Sequence, residues 1–333
     1  MAVIRDMMPA FQLFQPTTTD EALGVLDEYR ERAWVLAGGL DAFDWRKDRG
    51  KRPAAVVDRG GVEALRAIRP AGGGLEIGAM ATLREVARHA DVRDRYGVLA
   101  EAAGIVASPQ IRNQGTLGGN LAQDTRCWYY RDGWNCYRAG GTICYADTPT
   151  AMNREHCILG ASRCVAVNPS DTAPALVALD GELEIHSSGG TRVVAAEDFF
   201  LGPDVDIMRM TVLEPGDLLT AVRLPDTWAG ARFYFEKSRD RQVWDFALAA
   251  VASAAKITNG TVEDIRIVVN GVAPTPLRLR ASEDAVRGRQ LSEDVAARAG
   301  EAAIEGVRPL NHNGFKVALL RNLVTRAVRG GEA

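Results

Sequence analysis

All five cysteines of this 333-residue chain lie between Cys127 and Cys164, a window of 38 residues, and the rest of the chain has none. Scattered cysteines fit cores or disulfides; cysteines gathered this tightly point to one local site. The spacing is Cys127-x8-Cys136-x7-Cys144-x12-Cys157-x6-Cys164. Disulfides need an oxidising compartment, and an odd number leaves one thiol unpaired. Thiols dispersed through a core do not account for confinement to one segment. Zinc normally takes a C-x2–4-C pair, which is missing here. An iron–sulfur cluster tolerates wider spacing because a loop can wrap it, and soft thiolates suit either metal. Spacing alone therefore puts iron–sulfur only slightly ahead of zinc, with one cysteine surplus and unidentified.

The surrounding stretch, Asp124 to Arg163, shows neither a helical nor a strand period. It also carries Trp128, Tyr129, Tyr130, Trp134, Tyr137 and Tyr145. A structureless segment of this length inside a compact domain is functional or disordered, and its aromatic content argues against disorder. Lys plus Arg number 40 against 43 Asp plus Glu, a net charge of −3. That balance lacks the basic excess of a nucleic-acid-binding face. With 47% apolar and 25% charged residues, the composition is that of a globular protein, and the length suggests roughly two domains. No apolar run approaches the ~20 residues of a membrane span. Met1 to Met8 has no long apolar stretch after a basic start, so it does not read as a signal peptide. The expected location is cytoplasmic, or periplasmic if a signal-bearing partner carries the chain out.

Before the cysteine-bearing segment, Thr18 and Glu21 have the spacing of a capping box, and Leu23, Leu26 and Tyr29 continue it as a helical stripe. Ala33 to Ala37 reads as a buried strand running into Gly38-Gly39. A polar loop, Asp41 to Pro53, leads to a second strand, Ala54 to Asp58. Leu75 to Ala79 is a further strand, and Thr82 to Val92 and Arg93 to Ala107 read as helices. A second glycine-rich loop follows, with Gly115, Gly118 and Gly119. Backbone amides of such loops can wrap phosphate oxygens, and Thr116 and Asn120 could add side-chain bonds. Neither loop matches a named nucleotide fingerprint, and tight turns explain each one taken singly. After the cysteines, Pro169 to Leu179 reads as a turn entering a helix. Glu182 to His186, Thr191 to Val194 and Leu218 to Leu224 read as strands. Pro225 to Gly230 is a plausible boundary. Beyond it, Arg232 to Lys237, Phe246 to Ile257 and Val262 to Asn270 suggest an antiparallel sheet with an Asn259-Gly260 hairpin. Three helical stretches close the chain: Ala281 to Arg289, Ser292 to Ile304 and Asn313 to Arg329.

Three motifs occur in order: Ala37-Gly-Gly-Leu-Asp41, Ile111-Arg-Asn-Gln-Gly-Thr-Leu-Gly-Gly-Asn-Leu-Ala122 and Pro169-Ser-Asp-Thr-Ala-Pro174. Together they resemble the FAD-binding medium subunit of the xanthine dehydrogenase family of molybdenum hydroxylases, over almost the whole chain. Most members have only a short link between the second and third motifs, where this chain has about forty residues more. That insert, with Thr125-Arg-Cys-Trp-Tyr-Tyr-Arg131, is similar to the one in 4-hydroxybenzoyl-CoA reductase and periplasmic-type aldehyde oxidoreductases, where it carries an extra 4Fe–4S cluster.

The resemblance implies an α+β fold. A two-part FAD-binding domain of the PCMH type would span 1–225, with an irregular iron–sulfur insert at 124–164. A smaller C-terminal domain of antiparallel sheet and helices would span 230–330. For the flavin it implies a first loop of Leu36, Ala37, Gly38, Gly39, Leu40, Asp41, Ala42 and Phe43 along the pyrophosphate. Leu40 stands where relatives often have threonine, which removes one hydroxyl contact. It implies a second phosphate loop with Thr116, Gly119 and Asn120, then Asp171 on the cofactor and Leu219 and Lys237 along the flavin. It nominates Cys127, Cys136, Cys144 and Cys164 as cluster ligands and leaves Cys157 as a core thiol. No residue of this chain is expected to act on a substrate.

The function implied is electron transfer through FAD and a 4Fe–4S cluster. The expected partners are a large molybdenum-cofactor subunit, a small 2Fe–2S subunit and an external electron acceptor or donor. Two other readings compete: a self-sufficient flavin oxidase, and a zinc-stapled interaction module. Arg112, Arg126, Arg131 and Arg138 flank the key segments and receive no assigned role. His156 could at most orient the cysteine loop.

Overall fold

A computed structural model of the chain describes residues 8–330. Residues 1–7, on which the signal-peptide reading rests, lie outside the described residues. The first helix, Thr19–Tyr29, begins at the capping box: Thr18 Oγ1 accepts the Glu21 amide at 3.2 Å, and the Glu21 carboxylate accepts the Thr18 amide at 3.3 Å. The helix buries Ala22 and Leu26 with Val57 and Leu218. Beside it lies a three-stranded parallel sheet in the order Gln12–Phe14, Ala55–Asp58, Ala33–Leu36. Both longer strands end, on the same side, at glycine-bearing loops: Gly38-Gly39 and Gly60-Gly61.

The stretch after Asp41, read as a polar loop, instead contains a short helix, Ala42–Lys47. Its Trp45 is buried edge-on to Tyr130, with ring centroids 5.1 Å apart. A contact across some 85 residues of chain decides that helix, so local polarity could not reveal it. The two helices expected between Thr82 and Ala107 are three: Leu83–Arg88, Ala90–Arg95 and Gly97–Gly104. The backbone leaves helical values at His89 (ψ 132°) and Tyr96 (φ −136°), which breaks the run.

These helices cover an antiparallel sheet of five strands, in the order Ile68–Ala71, Gly74–Gly78, Leu218–Leu224, Glu182–Ser187, Gly190–Ala195. A second antiparallel sheet has the order Leu277–Arg278, Thr261–Asn270, Ala249–Thr258, Arg232–Ser238. Its hairpin turns at Asn259 and Gly260, both with positive φ (51° and 78°), as the twist of a two-residue turn requires. Alternation along its central strand divides the core. Ala252 and Ala254 join the core of the five-stranded sheet; Val251 and Ala255 join Leu320, Leu323 and Val324 beneath the helix Phe315–Arg329. Both antiparallel sheets thus share packing, as alternation of side chains in a strand permits.

The cysteine-bearing segment is irregular, as its missing period implies, with single turns at Trp128–Arg131, Tyr137–Ala139 and Tyr145–Asp147. The start of the last helix grips it. Buried Lys316 donates from Nζ to the carbonyl oxygens of Glu155, His156 and Gly271 at 2.9, 3.0 and 2.8 Å. Among the described residues no helix is long and apolar enough to cross a membrane.

Candidate functional site

The second glycine segment is not a loop but two short helices, Pro109–Gln114 and Leu117–Leu121. Ser108 and Thr116 cap them, accepting the amides of Ile111 at 3.4 Å and Gly119 at 3.1 Å. Left-handed backbone therefore does not explain these glycines; close approach does. A Cβ on Gly118 would lie 2.8 Å from Ala79 Cβ, and one on Gly38 would lie 2.3 Å from the Gln114 carbonyl oxygen. The first loop and the second segment meet backbone against backbone, which only glycine allows. Gly39 is different: its φ of +79° is left-handed.

Between the two segments runs a cleft of about 200 Å³. Ala37, Gly38, Gly39, Leu40, Asp41, Ala42, Thr116, Gly119, Asn120, Asp171, Leu219 and Lys237 all line it. Leu36 and Phe43 are not among its walls; the Phe43 ring packs over Gly39, where a Cβ would meet it at 2.7 Å. The Asn120 side-chain oxygen accepts from Ser170 Oγ and Thr172 Oγ1, both at 2.7 Å. This fastens the Pro-Ser-Asp-Thr turn to the glycine segment and puts Asp171 in the wall. Opposite, Lys237 Nζ donates to Asp171 Oδ2 at 2.6 Å. Burial pushes the Asp171 carboxyl up, and the Lys237 charge pulls against it.

Several lining residues escaped the sequence reading. Arg59, at the end of the strand Ala55–Asp58, donates from Nη1 to the Leu219 carbonyl at 2.8 Å; its buried Nε has no partner. Burial lowers its pKa to about 10. Its place at a parallel-strand end, like that of Gly38-Gly39, was the available signal. Trp244 and Phe246 line the cleft from a distant part of the chain, for which no local signal exists, and Arg126, which follows the second glycine segment, lines it too.

A neighbouring cavity of about 680 Å³ shares Arg126, Pro169, Asp171, Trp244, Asp245 and Phe246 with the cleft and reaches Cys127, Trp128 and His156. Ligand sites run to roughly 300–1,000 Å³, so the joined space suits an elongated cofactor. An orphaned guanidinium nitrogen in the wall and glycines that tolerate no Cβ fit a phosphate-bearing ligand such as FAD.

Cys127, Cys136, Cys144 and Cys164 line a third cavity together with Tyr129, Tyr130, Tyr137, Tyr145, Arg138 and Arg163. Cys157 is not part of it. That thiol packs with Ala146 and Val165, and its neighbour Ile158 enters the C-terminal core. Burial pushes the Cys127 thiol up to about 12 and also raises Cys144 and Cys157. Metal binding here would have to displace protons. Among the described residues no three His, Cys, Asp or Glu side chains are gathered tightly enough to hold one metal ion. The donor chemistry of four thiols flanked by two arginines suits an anionic iron–sulfur cube. His156 Nε2 lies 3.3 Å from Cys127 Sγ, which places it at the cysteine loop.

Residues 9–227 match the family described as the FAD binding domain in molybdopterin dehydrogenase. Residues 233–330 match the CO dehydrogenase flavoprotein C-terminal domain. The aldehyde oxidoreductase FAD-binding subunit PaoB of Escherichia coli K12 is 33% identical over 305 residues, 90% of this chain and 92% of that protein. The carbon monoxide dehydrogenase medium chain of Hydrogenophaga pseudoflava is 28% identical over 330 residues, 98% of each chain. Among solved structures, carbon monoxide dehydrogenase from the same organism superposes with a TM-score of 0.77 at 28% identity, covering 98% of both chains. Quinoline 2-oxidoreductase from Pseudomonas putida 86 gives 0.76 at 25% identity, covering 98% of this chain and 99% of that one.

Proposed function

Because this chain belongs to the FAD-binding subunits of the molybdopterin dehydrogenase family, we propose that it relays electrons within a heteromeric molybdenum hydroxylase. Its partners in this reading are a large molybdenum-cofactor subunit and a small 2Fe–2S subunit. FAD, when bound, exchanges electron pairs on one side and single electrons on the other. The cleft carries the reading: two glycine segments meet without side chains, and an acid–base pair closes one end.

The residues that would hold FAD are those named above. The amides around Gly38, Gly39 and Gly119 would face the pyrophosphate. Thr116 and Asn120 would keep the second segment in place, and Asp171, Leu219 and Lys237 would border the ring system. Arg59 would offset phosphate charge. Leu36 and Phe43 would support the loop from behind. We divide the chain at 1–225 and 230–330, with the insert at 124–164.

The iron–sulfur reading rests on this chain's own cysteines. Cys127, Cys136, Cys144 and Cys164 would ligate a 4Fe–4S cluster, with Arg138 and Arg163 offsetting its charge. The cavity linking Cys127 to Asp171 would put that cluster beside the flavin. An external acceptor or donor would complete the route.

Anaerobic purification of the chain with its partners tests this. Flavin bands, a broad shoulder in the visible spectrum and about four irons per chain beyond those of the 2Fe–2S subunit support the proposal. Substrate turnover by the isolated chain would overturn the relay in favour of a flavin oxidase. Zinc in place of iron would favour a stapled module.

A further inference from the structure

Asp41, the acid of the first glycine loop, spends both carboxylate oxygens on the cysteine-bearing insert. Its Oδ1 accepts from Arg131 Nη1 at 2.7 Å and lies 3.3 Å from Arg126 Nη2. Its Oδ2 accepts the Asp124 amide at 3.3 Å. Arg131 is equally committed. Nε donates to the Thr125 carbonyl at 2.8 Å, and Nη2 donates to the Asp124 carbonyl at 3.1 Å. Its guanidinium also lies 4.1 Å from the centre of the Trp45 ring, on the helix that the glycine loop leads into. Cys127 sits between the two arginines in sequence, and its carbonyl accepts the Arg131 amide at 2.9 Å. One planar fork therefore joins the glycine loop, the following helix and the first turn of the insert. A lysine could match its charge but not this geometry.

We propose that the insert holds the first glycine loop in its cofactor-binding shape through Arg131 and Asp41, so that retention of FAD depends on an ordered insert. The inference rests on the reading that this loop borders FAD. It makes Arg131 a positioning residue, supplied by the insert, for a cofactor that it does not touch. It also explains how the loop keeps an aspartate beside the expected pyrophosphate: the carboxylate is paired with two arginines of the insert.

The rival account is charge alone, and the two separate cleanly. If only charge matters, Arg131→Met loosens FAD by exposing Asp41. In that case Asp41→Asn binds FAD as tightly as wild type or more tightly, the double variant returns to wild type, and Arg131→Lys is normal. If the arginine acts as a brace, Asp41→Asn, Arg131→Met and Arg131→Lys each raise the FAD dissociation constant, by about tenfold for the first two. The double variant is then no worse than either single one. FAD titration of the full-length apo-chain reads this out, with thermal midpoint and iron content measured alongside. An Asp41→Asn affinity at or above wild type overturns the inference, as does additivity in the double variant. Should the Arg131→Met chain fail to fold, Arg131→Lys decides alone: normal affinity overturns the brace. Failure of the site reading itself looks different, because Gly38→Ala would then also bind FAD normally.

Discussion

Lys237 and Asp171 form a buried ion pair, Nζ to Oδ2 at 2.6 Å, with side chains only 1% and 5% exposed. Lys237 comes from the strand Arg232–Ser238 of the C-terminal sheet, and Asp171 from the turn before the helix Ala173–Ala178. The pair therefore pins the second sheet against the end of the cleft. Removing one partner strands a charge on a side chain that is almost wholly buried. Lys237→Met should cost about 3–5 kcal/mol of stability. The double variant Lys237→Met/Asp171→Asn should lose clearly less than the two single losses combined. Urea unfolding of the three variants checks this; additive losses would mean the two groups do not interact.

At Gly38 the second segment's backbone stands in the way. Gly38→Ala would place a Cβ 2.3 Å from the Gln114 carbonyl oxygen, and neither backbone can yield as a flexible side chain would. The two glycine segments should part, and bound FAD should fall well below one per chain. Gly24 is the control. It lies within the helix Thr19–Tyr29 with nothing within 4 Å of a new Cβ. Gly24→Ala should stabilise the fold by up to ~1 kcal/mol and leave FAD content unchanged. Absorbance of the bound flavin and thermal melts measure both.

Four of the five thiols line one cavity, and Cys157 does not. Cys136→Ser and Cys144→Ser should each lower the iron content while FAD is retained, because neither residue contacts the Asp41–Arg131 brace. Cys157→Ala should leave iron unchanged, since that thiol packs among Ala146 and Val165. Iron analysis of the anaerobically purified variants decides. Full iron in both serine variants would refute the ligand set, and loss of about four irons in Cys157→Ala would make that residue a ligand.

Lys316 predicts a pH dependence of known sign. Burial lowers its pKa to about 8, from 10.5 when exposed. Between those values the unfolded chain holds the proton and the folded chain releases it, so stability rises with pH across that window. Below the window both states are charged, and the burial penalty is present in full. The gain from pH 8 to 10.5 is at most ~3 kcal/mol, reduced by the three carbonyls that favour the ammonium form. Lys316→Met should lack this rise and, with those carbonyls left without a donor, should be destabilised by a few kcal/mol at pH 7, about 1–3 for each group stranded. Chemical unfolding of both proteins at pH 7.5 and 10 compares them; parallel behaviour would show that Lys316 does not titrate in this range.

Much of the architecture follows from short-range pattern. The Thr18–Glu21 capping box and the Asn259-Gly260 hairpin need only neighbouring residues, and the structure forms both. The missing period from 124 to 163 likewise marked an irregular segment. The helix at Ala42–Lys47 stayed hidden because its stability comes from Trp45 packing on Tyr130. The second glycine segment was misread as a loop because its glycines serve close packing rather than turning.

What the sequence determined by itself was chemical type: glycines gathered in two segments, thiols confined to one window, an acid beside the first glycine pair. These are local choices, and each residue carries its chemistry wherever the chain goes. Tertiary structure alone decided which groups meet. It brought Arg59, Trp244 and Phe246 to one cleft, left Cys157 out of the cavity that the other four thiols line, and turned Asp41 toward Arg131. Such meetings depend on burial and packing between segments far apart in the chain, and no periodicity within one segment encodes its distance to another.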